Sequence, residues 1–194
     1  MSQSNKTHIL VEGAAMVALA TVLSFIRVFK LPWGGSITLL SMLPIVVFSV
    51  RRGIGAGLVV SFVFSLIQFG QGIMDGLFGW GLTPGMLVAC ILLDYILAFT
   101  VLGIAGIFKE KGFSGWISGI TLAIVSRFIL HVLSGCLIWH SFGELWSDFF
   151  IENSFLYSLA YNGCYMLPEL IFTLIASVLL FKVPQAKKVI LKVN

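Results

Sequence analysis

Four ionisable residues interrupt otherwise apolar stretches of this 194-residue chain: Asp94, Arg127, His131 and Glu169. Buried in hydrocarbon, such groups are costly unless they face a partner or a water-filled cavity, so they mark candidate sites. Arg127 and His131 are four residues apart and share one helix face. Trp139 lies two turns beyond His131, partly rotated off that face. Asn162, Tyr165 and Glu169, spaced i, i+3, i+7, define a second face, with Tyr157 one and a half turns from Asn162, and Asp94 is followed by Tyr95. An acid, an imidazole, an indole, a phenol and an amide at similar depth suit a cationic aromatic molecule. The carboxylate balances charge, the rings stack, and Asn and Tyr bond to heteroatoms. The same side chains also fit plain helix packing, with Asp94 and Arg127 as an interhelical ion pair and Tyr157 and Asn162 as interhelical hydrogen-bond glue. Glu169, beside Pro168, reads as structural or neutral rather than ligand-binding.

The elements that must position these groups are apolar helices. Apolar residues make up 59% of the chain and charged residues 10%, against about 25% charge in a soluble domain. Mean hydropathy is +1.06. A crossing helix needs about 20 apolar residues, and segments 9–29, 36–50, 54–72, 84–108, 116–139 and 154–183 supply six candidates. Segment 36–50 is short and contains Pro44, which predicts a tilted, broken or partly lipid-exposed helix. The reading is therefore an all-α integral membrane protein, with six transmembrane helices in one compact bundle over a single domain, 1–194.

Lys6, Arg51, Arg52, Lys109, Lys111, Lys182, Lys187, Lys188 and Lys192 fall on one side of that topology. The positive-inside rule makes that side, and both termini, cytoplasmic. Arg27, near the end of the first segment, and Glu12 are expected to snorkel to the interface. Loops 30–36, 73–83 and 140–153 then face outward, and the latter two combine aromatics, glycine and acids. They suit either an interfacial aromatic belt or lids over a pocket. The polar N-terminus has no small-residue cleavage site after it, so the first segment reads as a retained helix. Three cysteines, an odd number and each within an apolar run, argue against a disulfide framework or a zinc site. The basic residues are not interleaved with stacking aromatics, so nucleic acid is not expected as a partner. No phosphate loop, metalloprotease or nucleophile-elbow motif occurs, and the reading is not an enzyme, with no cofactor and no metal. Ala14 and Ala18 form a small-xxx-small pair, suited to internal packing or to docking another membrane protein.

Several stretches together resemble the thiamine-specific S components (ThiT/YuaJ type) of energy-coupling factor (ECF) vitamin transporters. They are the alanine-rich run from Glu12 to Ala20, Pro44 followed by Ser49-Val-Arg-Arg-Gly53, and Leu93-Asp-Tyr95 leading into Leu102-Gly-Ile-Ala-Gly106. Arg127 with His131, Ser134-Gly135 and Trp139, and then Tyr157-Ser-Leu-Ala-Tyr-Asn162, complete the set. The resemblance implies a cell-membrane, multi-pass protein that captures thiamine from outside. It implies partners too: a membrane scaffold (T) subunit and two cytoplasmic ATPases that drive uptake. It assigns substrate binding to Asp94, Tyr95, Arg127, His131, Trp139, Tyr157, Asn162 and Trp33, and docking to Ala14 and Ala18. The pocket acid is Asp94 where the family typically carries Glu, with the same charge and shorter reach. An aromatic from the third loop, Trp80 or Phe78, belongs to the lid. The alternatives are an S component for another vitamin or precursor, such as hydroxymethylpyrimidine or riboflavin, a stand-alone ion-coupled transporter, or an intramembrane enzyme using His131 and Asp94.

Overall fold

The computed structural model describes residues 3–140, 143–146 and 149–191. Lys192, and residues 141–142 and 147–148 of the expected loop 140–153, lie outside them. The chain is mostly helical. Helix α1 (Gln3–Phe25) is followed by α2 (Leu43–Arg52) and α3 (Ile54–Met74). Helix α4 spans residues 84–111, α5 residues 112–139, α6 is Ser154–Lys182 and the short α7 is Pro184–Leu191.

Among the described residues, four helical runs are long and apolar enough to cross a bilayer: Asn5–Phe25, Ile54–Met74, Pro84–Trp139 and Ser154–Lys182. The third run has 56 residues, more than twice the ~20 a crossing needs. It bends at Phe108 (φ −109, ψ 21) and at Gly112, whose φ of 67 favours glycine. Beyond the bend α5 packs against α4. A Cβ on Gly115 or Gly119 would collide with the carbonyl oxygens of Phe108 and Ala105, so these glycines let the two backbones touch. Trp116 Nε1 caps the contact by donating to Lys109 O over 2.8 Å.

Helix α2 differs from the expectation. It begins at Leu43 rather than at residue 36, and Pro44 sits in its first turn, where the missing N–H removes no helical bond. Ten residues rise only about 15 Å, and every residue from Pro44 to Val50 is buried. This segment is thus enclosed by the bundle and not lipid-exposed. Ser49 Oγ donates to Gly103 O at 2.5 Å and accepts from Gly106 N at 3.0 Å, tying α2 to α4. Glu12 does not snorkel: it is clamped by Arg51 (2.7 Å) and Arg52.

Nor is the fold purely helical. Strand β1 (Arg27–Lys30) pairs antiparallel with β2 (Ser36–Thr38), and β3 (Gly143–Trp146) with β4 (Phe149–Ile151). The expected first and second segments each gave up their facing ends to the β1–β2 hairpin. Pro32, Trp33 and Gly34 (φ 96) turn the chain back at its tip, and pairing satisfies backbone groups that the ended helix leaves open.

The core runs through Val17, Ile45, Val46, Phe64, Leu102, Ile120, Ile124 and Met166. Long apolar side chains such as Val11, Val22, Val59 and Leu179 point outward, as a lipid-facing surface requires. The result is a multi-pass membrane protein.

Candidate functional site

At the hairpin end of the bundle, all helices except α2 and α7 contribute to one cavity of about 570 Å³, within the range of small-molecule sites. Asp94 is its most connected charge. Its Oδ1 lies 2.9 Å from His131 Nδ1, while Oδ2 accepts from Ser134 Oγ and, at 3.4 Å, from Cys90 Sγ. Arg127 Nε donates to His131 Nε2 over 3.3 Å. With Nε2 accepting, the imidazole proton sits on Nδ1 and is donated to Asp94.

Arg127 itself is almost fully buried. Its guanidinium stacks over the Phe99 ring at 3.9 Å and donates to Met42 Sδ at 2.9 Å. Among the described residues no carboxylate lies within ion-pairing distance of it, so the Asp94–Arg127 pair considered above is not formed.

Two local distortions aim these groups. Asp94 and Tyr95 lie in a π-helical stretch of α4 (Ile91–Leu97), and Trp139 ends another in α5 (Gly135–Trp139). A π turn takes more residues per turn than an α turn. Trp139 is thereby carried back toward the His131 face instead of being left rotated away. Its indole meets Trp80 (ring centroids 5.6 Å apart) and Trp33 (6.2 Å), forming an aromatic cover beneath the β1–β2 hairpin. Trp80, not the exposed Phe78, is the third-loop aromatic that lines the cavity.

On α6, Tyr157 and Tyr161 stack at 6.4 Å. Asn162 is locked on both sides: Nδ2 donates to Ser158 O (2.9 Å) and His131 O (3.3 Å), and Oδ1 accepts from Tyr165 Oη at 2.6 Å. Asn162 thus joins α6 to α5 as well as lining the cavity.

The hairpin is fastened at three points. Tyr161 Oη accepts from Gly35 N at 3.2 Å and donates to Pro32 O. Glu169 Oε1 accepts from Thr38 N (2.5 Å) and Thr38 Oγ1 (2.6 Å), which gives this buried acid an anchoring contact. Asp75, just past α3, binds Arg27 at 2.7 Å and Lys30 at 2.8 Å, so Arg27 is paired rather than snorkelling. Partial burial alone would raise the Asp75 carboxyl. The hydrogen bonds and charges of Arg27 and Lys30 outweigh it and hold the group below the usual carboxylate range.

The structure brings all eight residues singled out for substrate binding onto this one cavity: Trp33, Asp94, Tyr95, Arg127, His131, Trp139, Tyr157 and Asn162. Ala14 and Ala18 lie elsewhere, exposed on α1, while Gly13, Val17 and Ala20 of the same helix turn inward. Sequence reasoning missed Ser24, Gln68, Gln71 and Asp75, which line the α1–α3 wall. The signal was available: two glutamines in an apolar segment, three apart, with Asp75 four further on, repeat at helical spacing.

The family described as Thiamine transporter protein (Thia_YuaJ) matches residues 10–189. Thiamine transporter ThiT of Bacillus subtilis (strain 168) is 33% identical over 195 residues, covering 93% of this chain and 94% of that protein. A solved structure of ThiT from Listeria monocytogenes superposes with a TM-score of 0.68 at 26% identity, covering 94% of this chain and 98% of that one.

Proposed function

Because this chain belongs to the thiamine transporter family, we propose that its cavity captures thiamine from the outer side of the membrane, as the S component of an ECF-type transporter. The family role is transport and not catalysis. In this reading the whole chain is one binding domain with six membrane-embedded segments, α1 to α6. Both termini are cytoplasmic, and the hairpin end faces outward. A separate membrane scaffold subunit and two cytoplasmic ATPases supply the energy, and the scaffold docks on α1 at Ala14 and Ala18. Small exposed side chains there allow close helix approach.

The observation that carries the reading is the convergence of Asp94, His131 and three indoles on one cavity. Thiamine joins a permanently cationic ring to an aminopyrimidine. Asp94 balances the charge, His131 and Trp139 stack on the rings, and Tyr157 and Asn162 bound the pyrimidine edge. Asn162 shifts part of its bonding from Ser158 to the ligand. Tyr95, Arg127 and Trp33 complete the lining, Arg127 by fixing the His131 tautomer.

The test is a titration of the purified protein with thiamine, followed by tryptophan fluorescence, without nucleotide. Saturable nanomolar-class binding is expected. Binding weaker than micromolar removes the capture role. Uptake into vesicles that contain this chain but no ATPase removes the partner-dependent one.

A further inference from the structure

We propose that Gln71, with Gln68 one turn before it, forms an uncharged hydrogen-bonding subsite for the alcohol end of the bound molecule. The proposal rests on the thiamine reading above, since thiamine carries a hydroxyethyl group on its cationic ring. Gln68, Gln71, Gly72 and Asp75 all line the cavity. The i, i+3, i+4 spacing puts Gln68, Gln71 and Gly72 on one face of α3, and Asp75 follows at its C-terminal end. Gly72 lets the Tyr95 ring lie against that face, since a Cβ there would overlap the phenol.

Gln71 is only 6% exposed. Its Nε2 donates to Ser24 Oγ at 2.7 Å, and the Ser24 hydroxyl donates onward to Thr21 O at 2.7 Å. That chain decides which way the amide points. Ser24 has committed its proton, so it can only accept from Gln71, and the nitrogen must face it. Gln71 lines the cavity, and its Oε1 has no hydrogen-bond partner among the described residues. Gln68, half-buried one turn away, carries an Nε2 that is also unpartnered. An acceptor and a donor one helical turn apart on α3 match an alcohol, which both donates and accepts, once the enclosed Gln68 amide turns toward the ligand. Arg27 and Lys30 are both engaged by Asp75, which offsets one of their two positive charges.

The experiment compares thiamine with an analogue carrying ethyl in place of 2-hydroxyethyl, on the full-length protein and on Gln71→Met, a substitution of similar length that cannot accept the bond. The wild type is expected to bind thiamine about tenfold more tightly than the ethyl analogue. Gln71→Met is expected to erase that preference, weakening thiamine about tenfold and the analogue less than about twofold. Equal affinity of the wild type for both ligands overturns the subsite without any variant. A preference that survives Gln71→Met, or a loss that is equal for both ligands, overturns it too. Wild-type protein that binds neither ligand removes the thiamine reading and this inference with it. That outcome is distinct from failure of the subsite alone, in which thiamine still binds tightly.

Discussion

Replacing Asp94 by Asn keeps the shape of the side chain, removes its charge and turns one acceptor oxygen into a donor. Two effects follow from the geometry. Within the protein, Oδ1 and Oδ2 both accept, from His131 and from Ser134 and Cys90. An amide NH₂ must replace one of those acceptors, which sets donor against donor and costs about 1–3 kcal/mol of stability if Ser134 or His131 cannot turn away. For the ligand, a cation roughly 5 Å from the carboxylate gains about 3 kcal/mol at an effective dielectric of about 20. Losing it weakens binding on the order of 100-fold. Trp33, Trp80 and Trp139 all line the cavity, so intrinsic fluorescence reports occupancy directly, and thermal unfolding of the ligand-free variant reads the first effect separately. A folded Asp94→Asn protein that binds thiamine within about threefold of wild type would falsify the assignment of this carboxylate as counter-charge.

Trp139→Ala removes the ring at the centre of the indole cluster. A desolvated cation–π contact is worth about 2 kcal/mol, so calorimetry should show roughly 30-fold weaker binding; a change under threefold contradicts stacking on Trp139. Asp75→Asn frees Arg27 and Lys30 and should lower stability by up to about 1 kcal/mol at neutral pH. Because the folded carboxyl is held below its ordinary value of 3.8, that contribution is complete above the ordinary value and is lost as pH falls through the lower, folded one. The stability gap between wild type and variant should therefore close in acid, and a constant gap from pH 7 to 3 contradicts the clamp. Ala14→Trp or Ala18→Trp should leave thiamine affinity within about twofold while stopping uptake by the assembled transporter; unimpaired uptake rules out docking on that strip. Gly119→Val drives carbon into the Ala105 carbonyl and should destabilise the protein by about 1–3 kcal/mol, read as a lowered melting temperature in detergent.

The cavity-lining residues were legible because hydrocarbon makes polar groups conspicuous: Asp94, Arg127 and His131 stand out in apolar runs, and the helical period places the latter two together. The glutamines of α3 obeyed the same rule and were passed over because neither is charged. The hairpin 27–38 was hidden for a different reason. Val28, Phe29, Ile37 and Leu39 read as continuations of the flanking helices, and hydropathy does not distinguish a short strand from a helix end. Segment 36–50 misled in the same way, since hydropathy reports an apolar environment without saying whether lipid or protein supplies it.

Composition and spacing alone determined that the chain lives in a membrane, where its long apolar helices run and which side chains are too polar to face lipid, because burial in hydrocarbon penalises each such group by itself. What only the tertiary structure decided is which of them meet. The choice of His131 and Ser134 over Arg127 as partners of the acid, and the hairpin over the cavity, depend on contacts between segments far apart in the chain. Local sequence periodicity carries no information about those distances.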